Sequence, residues 1–365
     1  MDRRDLDRLL GFLGQWEASD LHLKAGVSPR VRINGQLRQV SDEPRCTPAD
    51  TQAIARAVMP AEVATIFDRQ REVDFAYSVP GVGRFRVNAY FQRSSVALAF
   101  RHVRSSPGSV TELGLPATVS RLADEVRGLV LVTGPTGSGK TTTLAAMIDH
   151  INRTRCCHII TIEDPIEYLH TDALASISQR EVGFDTNSFA TAMRMVLRQD
   201  PDVILVGEMR DVETASAALS AAETGHLVLS TLHTIDATET VTRVVDFFPP
   251  HQHQQVRTSL AGALRGTVAQ RLVRRADGGG RLPAVEVMVV NGRIRQCIEE
   301  AEHTSDIAEI IADGEYYGMQ TFDQSLAAHL EAGLITLHEA LEMATNAHDL
   351  RVTLERRGLV RTGQG

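Results

Sequence analysis

Along the first hundred residues the apolar positions change period several times. Leu6, Leu9, Leu10 and Leu13 recur at helical spacing and predict an amphipathic helix over Asp5–Trp16. Short strand-like stretches follow at Asp20–Lys24, Pro29–Ile33 and Leu37–Val40, the last two joined by the Asn34-Gly35 turn signal. Thr51–Met59 and Ala61–Arg69 read as helices split by Pro60. Phe75–Tyr77, Gly83–Phe91 and Val96–Val103 alternate as antiparallel strands do, with Pro80-Gly81 at a turn. Together these elements predict a small α+β domain. Ser105-Ser106-Pro107-Gly108-Ser109 is the clearest linker signal in the chain. The expected division is residues 1–105, a linker over 106–112, and a second domain over 113–365.

From about Thr111 the pattern changes. Apolar runs at Leu129–Thr133, His158–Ile162, Val203–Val206 and Leu227–Thr231 alternate with helical patterns at Lys140–Asn152, Ser188–Arg198 and Val212–Glu223. Strands alternating with helices predict an α/β domain with a mostly parallel sheet. The tail beyond Ser305 reads as helical near Ile307–Ala312, Phe322–Glu331 and Leu337–Thr345.

Composition narrows the classes. With 365 residues, 43% of them hydrophobic, the chain suits about two domains and is too apolar for disorder. No apolar run approaches the ~18 residues of a membrane span. Met1-Asp2-Arg3-Arg4-Asp5 is too polar for a signal peptide, so a cytosolic chain without membrane insertion is expected. Cys46, Cys156, Cys157 and Cys297 have neither zinc spacing nor the look of a disulfide framework. A net charge of −8 disfavours a nucleic-acid partner. Among 38 basic residues only Lys24 and Lys140 are lysines, so position 140 keeps a compact ammonium in a chain that otherwise uses arginine.

Lys140 closes the one sharp motif. Gly134-Pro135-Thr136-Gly137-Ser138-Gly139-Lys140-Thr141 satisfies G-x4-G-K-[ST] at every fixed position, after an apolar strand and at the head of a helix. Glycines let successive N–H groups turn inward on an anion, and the helix terminus adds partial positive charge. Lys140 is expected to reach β/γ-phosphate oxygens and the Thr141 hydroxyl to ligate Mg²⁺, with Gly134 through Thr142 forming the binding loop. This is a nucleoside triphosphate site.

Acids and histidines surround it in the sequence. The strand Val203–Val206 ends in Gly207-Glu208. An aspartate normally follows such a strand; here Gly207 takes its place and Glu208 is the candidate general base, with possible contact to Mg²⁺ through water. The strand ending Ile162-Glu163-Asp164 makes Glu163 the second candidate for positioning water or metal, since open α/β sheets bind ligands at such edges. His226 and His233 flank the strand Leu227–Thr231 and suggest a γ-phosphate sensor or a subunit contact. In the first domain Arg84 and Arg86 share one parity, and Arg101 lies on a neighbouring strand. An exposed arginine can stabilise developing phosphate charge or simply be solvated.

These motifs together resemble the type IV pilus retraction ATPases of the secretion-ATPase superfamily, over nearly the whole chain. The resemblance rests on Ala18-Ser19-Asp20-Leu21-His22-Leu23, the phosphate loop, and Glu163-Asp164-Pro165-Ile166-Glu167 as an aspartate box. It continues through Gly207-Glu208-Met209-Arg210-Asp211 as an atypical Walker B, Gly225-His226 to His233-Thr234 as a histidine box, and Tyr317-Gly318-Met319-Gln320-Thr321. It implies a RecA-like P-loop ATPase domain behind a smaller PAS-like α+β domain, ATP with Mg²⁺, and a homohexamer. It implies a ring on the cytoplasmic face of an inner-membrane platform protein, powering pilus retraction and twitching. Arg86 and Arg101 match the pair that approaches the phosphates from the N-terminal domain. Pilus-assembly and type II secretion ATPases share the middle motifs but carry a longer N-terminal region and a four-cysteine insertion, both absent here. One departure is Glu299 within Gly292–Glu300, where the retraction family carries arginine; it leaves an accessory paralogue of the motor as an alternative. A regulatory nucleotide-binding module and a DNA motor are the remaining rivals.

Overall fold

The computed structural model describes residues 2–16, 18–33, 35–105 and 107–360. Asn34 of the turn signal and Ser106 of the linker signal lie outside them. The chain divides into two compact units, Met1–Ser105 with Glu167–Leu169, and Ser106–Ile166 with His170–Gly365.

In the first unit, α1 (Arg3–Gln15) opens on a capping box made by Asp2 and Asp5, and Leu6, Leu9, Leu10 and Leu13 are fully buried along one stripe. A six-stranded antiparallel sheet is built from β1 (Asp20–Lys24), β2 (Arg30–Ile33), β3 (Gln36–Gln39), β4 (Glu72–Val79), β5 (Gly83–Gln92) and β6 (Ser95–His102), in the order β3-β2-β1-β6-β5-β4. Helices α2 (Pro48–Val58) and α3 (Ala61–Gln70) complete the unit. Phe85, Val87 and Ala89 alternate inward on β5, joining the leucines of α1 with Ile54 and Phe67 in one core. The opposite parity of β5 carries Arg84, Arg86 and Asn88, all half-buried. Residues Glu167–Leu169 return to this unit, where the Leu169 N–H donates to the Arg104 carbonyl at 2.8 Å.

The second unit opens with α4 (Ala117–Ala123) and is centred on a seven-stranded sheet. Its strands are β7 (Gly128–Thr133), β8 (His158–Glu163), β9 (Ser176–Glu181), β10 (Val203–Val206), β11 (Leu227–Leu232), β12 (Leu264–Arg274) and β13 (Arg281–Val289), ordered β13-β12-β7-β11-β10-β8-β9. All neighbours pair parallel except β12 and β13. The central strands are buried on both faces: Leu129 and Leu131 of β7 enter one apolar cluster, Val130 and Val132 the other. One face is covered by α6 (Phe189–Val196), α7 (Val212–Glu223), α8 (Ala237–Asp246) and α9 (His253–Ala263); α5 (Lys140–Thr154) and α4 pack on the other. Helices α10 (Gly292–Glu299) and α11 (Ile307–Ala312) extend the first cluster. Helices α12 (Phe322–Glu331), α13 (Leu337–Met343) and α14 (Ala347–Arg356) form a separate core with Val273, Leu282 and Ala284 of the β12–β13 hairpin. The helix expected over Ser188–Arg198 is shorter: Ser188 is its N-cap and it ends at Val196. Among the described residues no helix is long and apolar enough to cross a membrane.

Candidate nucleotide site

The site lies at the carboxyl-terminal edge of the parallel strands. β7 feeds the loop 134–139, and Gly139, at φ +93°, turns the chain into α5. No side chain caps α5, and an uncapped helix head is where an anion binds. A side chain at Gly134 would collide with the Gln270 carbonyl and stand 2.7 Å from Ser138 Oγ, so glycine is what lets the loop close against β12. Pro135, Thr136 and Gly137 are exposed, Thr141 is exposed and Thr142 half-buried, whereas Ser138 and Lys140 are buried.

Lys140 Nζ donates to the carbonyls of Gly134 at 2.7 Å and Pro135 at 3.0 Å, which holds the ammonium inside the curve of the loop. Burial pushes its pKa below the usual lysine value, and the negative charge of Glu208 opposes that shift. Ser138 Oγ is buried without a hydrogen-bond partner among the described residues, a group that a phosphate oxygen would satisfy. Uncapped helix terminus, buried ammonium and orphaned hydroxyl fit a polyphosphate. The Thr141 hydroxyl and the Glu163 and Glu208 carboxylates are the groups the sequence offers a divalent cation. Among the described residues no three His, Cys, Asp or Glu side chains form a metal cluster.

The residues of Gly207–Asp211 each meet a distinct physical demand. A Cβ on Gly207 would stand 3.2 Å from the Ile162 carbonyl and 3.4 Å from Glu163 Cα, so the edges of β10 and β8 leave no easy room for an aspartate there. Glu208 follows, its side chain 17% exposed. Met209 is buried in the core and its N–H donates to the Thr231 carbonyl at 3.2 Å, which anchors the segment. Arg210 Nε donates to Glu208 Oε2 at 2.8 Å, and its Nη2 lies 2.7 Å from the same oxygen. Asp211 caps α7 by accepting from the Thr214 N–H at 2.8 Å.

The other candidates divide. His233 follows β11, and its Nε2 lies 3.1 Å from Glu208 Oε1. His226 precedes the same strand; at about 3.3 Å per residue it stands more than about 20 Å along the strand from His233. Its Nδ1 faces the Ala221 carbonyl at 3.1 Å. The two histidines are therefore not brought together, and only His233 reaches the phosphate-loop edge. Glu163 is buried at the end of β8, with Oε1 accepting from Thr161 Oγ1 at 2.6 Å and Gln179 Nε2 at 3.1 Å. A cavity of about 370 Å³ opens beside Glu208, Arg210 and His233, with Arg243 on its wall.

Arg86 and Arg101 belong to the first unit, where they face each other directly across the β5–β6 ladder. Arg101 Nε donates to Asp20 Oδ1 at 2.8 Å. Like charges directly opposite on neighbouring strands destabilise a sheet, and Asp20 relieves only the Arg101 side.

Two residues near the loop escape sequence reasoning. Gln270 on β12 accepts from Thr143 Oγ1 at 2.8 Å and backs the phosphate loop; nothing in its local sequence marks it. Arg210 had a signal, two positions beyond the glutamate, but its partner becomes evident only in three dimensions.

The profile of the type II/IV secretion system protein family matches residues 5–342. The type IV pilus retraction ATPase PilT of Pseudomonas aeruginosa is 45% identical over 340 residues, covering 93% of this chain and 98% of that protein. The type IV pilus ATPase PilU of the same organism is 40% identical, over 96% and 91%. A crystal structure of the pilus retraction motor PilT with bound ADP superposes with a TM-score of 0.87 at 46% identity, over 95% of this chain and 99% of that one.

Proposed function

The chain belongs to the type II/IV secretion system protein family, and from that premise we propose that it is an ATP-hydrolysing motor driving type IV pilus retraction and twitching. The observation that carries the reading is the buried Lys140 ammonium held inside the phosphate loop, with the Glu208 carboxylate near enough to act on its charge.

The loop N–H groups and Lys140 bind the β- and γ-phosphates, the ammonium exchanging loop carbonyls for phosphate oxygens. Thr141, with Glu208 through water, would hold Mg²⁺, which would supply positive charge against the developing phosphate charge. Glu208 orients the attacking water and takes its proton as the new P–O bond forms and the bond to ADP breaks, releasing phosphate. Glu163 supports that water, His233 senses the γ-phosphate through Glu208, and His226 is left to a subunit contact. Arg86 and Arg101 meet the phosphates from an N-terminal unit, a use that accounts for two cations set face to face. The working assembly is a homohexamer at the cytoplasmic face of the inner membrane, docked on a platform protein. Similarity to PilU and the acid at Glu299 favour one second reading, an accessory ATPase beside a principal motor.

The test is Glu208→Gln. It should keep nucleotide binding and lose steady-state phosphate release; near wild-type turnover would remove Glu208 from the base role. A deletion strain with surplus surface pili and no twitching supports retraction, whereas a strain without pili would point to assembly. Complementation of a strain lacking its principal retraction ATPase separates the motor from the accessory.

A further inference from the structure

We propose that Arg210 is a positioning residue for hydrolysis: it holds the Glu208 carboxylate by Oε2 and so turns Oε1 to the attacking water. This inference rests on the reading of Glu208 as general base. A carboxylate offers about four lone-pair sites. Arg210 Nε donates to one on Oε2 at 2.8 Å with its Nη2 2.7 Å from the same oxygen, and His233 Nε2 lies 3.1 Å from Oε1. The guanidinium engages Oε2 alone, so Oε1 is the oxygen it leaves to water.

The clamp is built rather than incidental. Glu208 and Arg210 flank Met209, whose side chain is buried and whose N–H is tied to β11, so the two charged residues leave the chain on an anchored segment. Asp211 then starts α7 and fixes the other end of that segment. The arginine itself is 62% exposed whereas the glutamate is 17% exposed, so the arginine reaches in from the rim to hold an inner carboxylate. Asp164, from the aspartate box, adds a second negative charge near the guanidinium, and in doing so that exposed acid helps keep Arg210 over the site.

Misplacing a reacting group by about 1 Å can cost about 100-fold in rate. Arg210→Ala is therefore expected to lower kcat for ATP by roughly 10- to 100-fold, with KM changed by less than about threefold. Arg210→Lys, which can still offer Oε2 one donor, should recover part of the loss. The decisive arm is the double variant: in single-turnover assays Arg210→Ala added to Glu208→Gln should cost nothing beyond Glu208→Gln alone, because the arginine acts only through the glutamate. Thermal melting and binding of a fluorescent ADP analogue confirm that each variant is folded. Turnover of Arg210→Ala within about twofold of wild type overturns the proposal, as does a rise in KM at unchanged kcat, or a full further loss in the double variant. If Glu208→Gln itself turns over normally, the general-base reading fails and takes the clamp with it; if only the Arg210 arms fail, that reading stands.

Discussion

Glu286 on β13 is 8% exposed, and burial pushes its pKa up to about 7 from an ordinary 4.5. The Ala237 N–H, first in α8, donates to its Oε1 at 2.9 Å and opposes the shift, as does the Arg271 charge, whereas Asp236 and Asp323 add to it. Between pH 4.5 and about 7 the folded chain holds a proton at this site that the unfolded chain has lost. Stability therefore falls as pH rises through that window and levels off above it. The step from 4.5 to about 7 is worth about 3 kcal/mol, and about 2 kcal/mol of it falls between pH 5.5 and 8. Glu286→Gln keeps an oxygen for the Ala237 N–H and removes the titration. Urea unfolding followed by circular dichroism should find the variant more stable than wild type at pH 8, with the gap narrowing by about 2 kcal/mol at pH 5.5. A gap of the same size at both pH values would refute the reasoning, because it would mean that Glu286 carries the same charge in the folded chain throughout.

Gly318, at φ +76°, has no room for a side chain: a Cβ would collide with Arg121 Nη2 and Thr118 Oγ1, which bond the Tyr317 and Gly318 carbonyls at 2.9 Å each. Gly318→Ala should cost about 3 kcal/mol, combining about 1–2 for the left-handed backbone with one strained hydrogen bond, read as a lowered urea midpoint at unchanged m. Gly207→Asp, which restores the acid usual after this strand, should lower ATP turnover at least about tenfold, because the side chain must push back the edge of β8 and sets a third carboxylate beside Glu163 and Glu208. Phosphate release equal to wild type would show that the edge has room after all.

The parts of the site legible in the sequence were those whose chemistry requires contiguous backbone. A phosphate nest is made by consecutive N–H groups, so Gly134–Thr141 has to appear as an unbroken string, and its strand and helix appear with it. The central strands were equally readable, since burial on both faces makes β10 a wholly apolar run bounded by polar residues. β12 and β13 escaped for the opposite reason. α9 passes into β12 at Leu264 with no glycine or proline between them, and buried residues such as Thr267, Gln270 and Glu286 interrupt the apolar pattern of both strands. Those interruptions are informative once the fold is known. Gln270 braces the phosphate loop, and Glu286 receives the first N–H of the helix that follows the histidine strand. Gln270 and Glu286 each have their hydrogen-bond partner far along the chain, and a distant partner leaves no local trace. The Glu208–Arg210 pair shows the limit from the other side: two residues apart in sequence, they meet on a segment that Met209 anchors against β11, with a histidine at the end of that strand. A motif string therefore marks the candidates for phosphate contact, while the groups packed around them have to be found through the sheet.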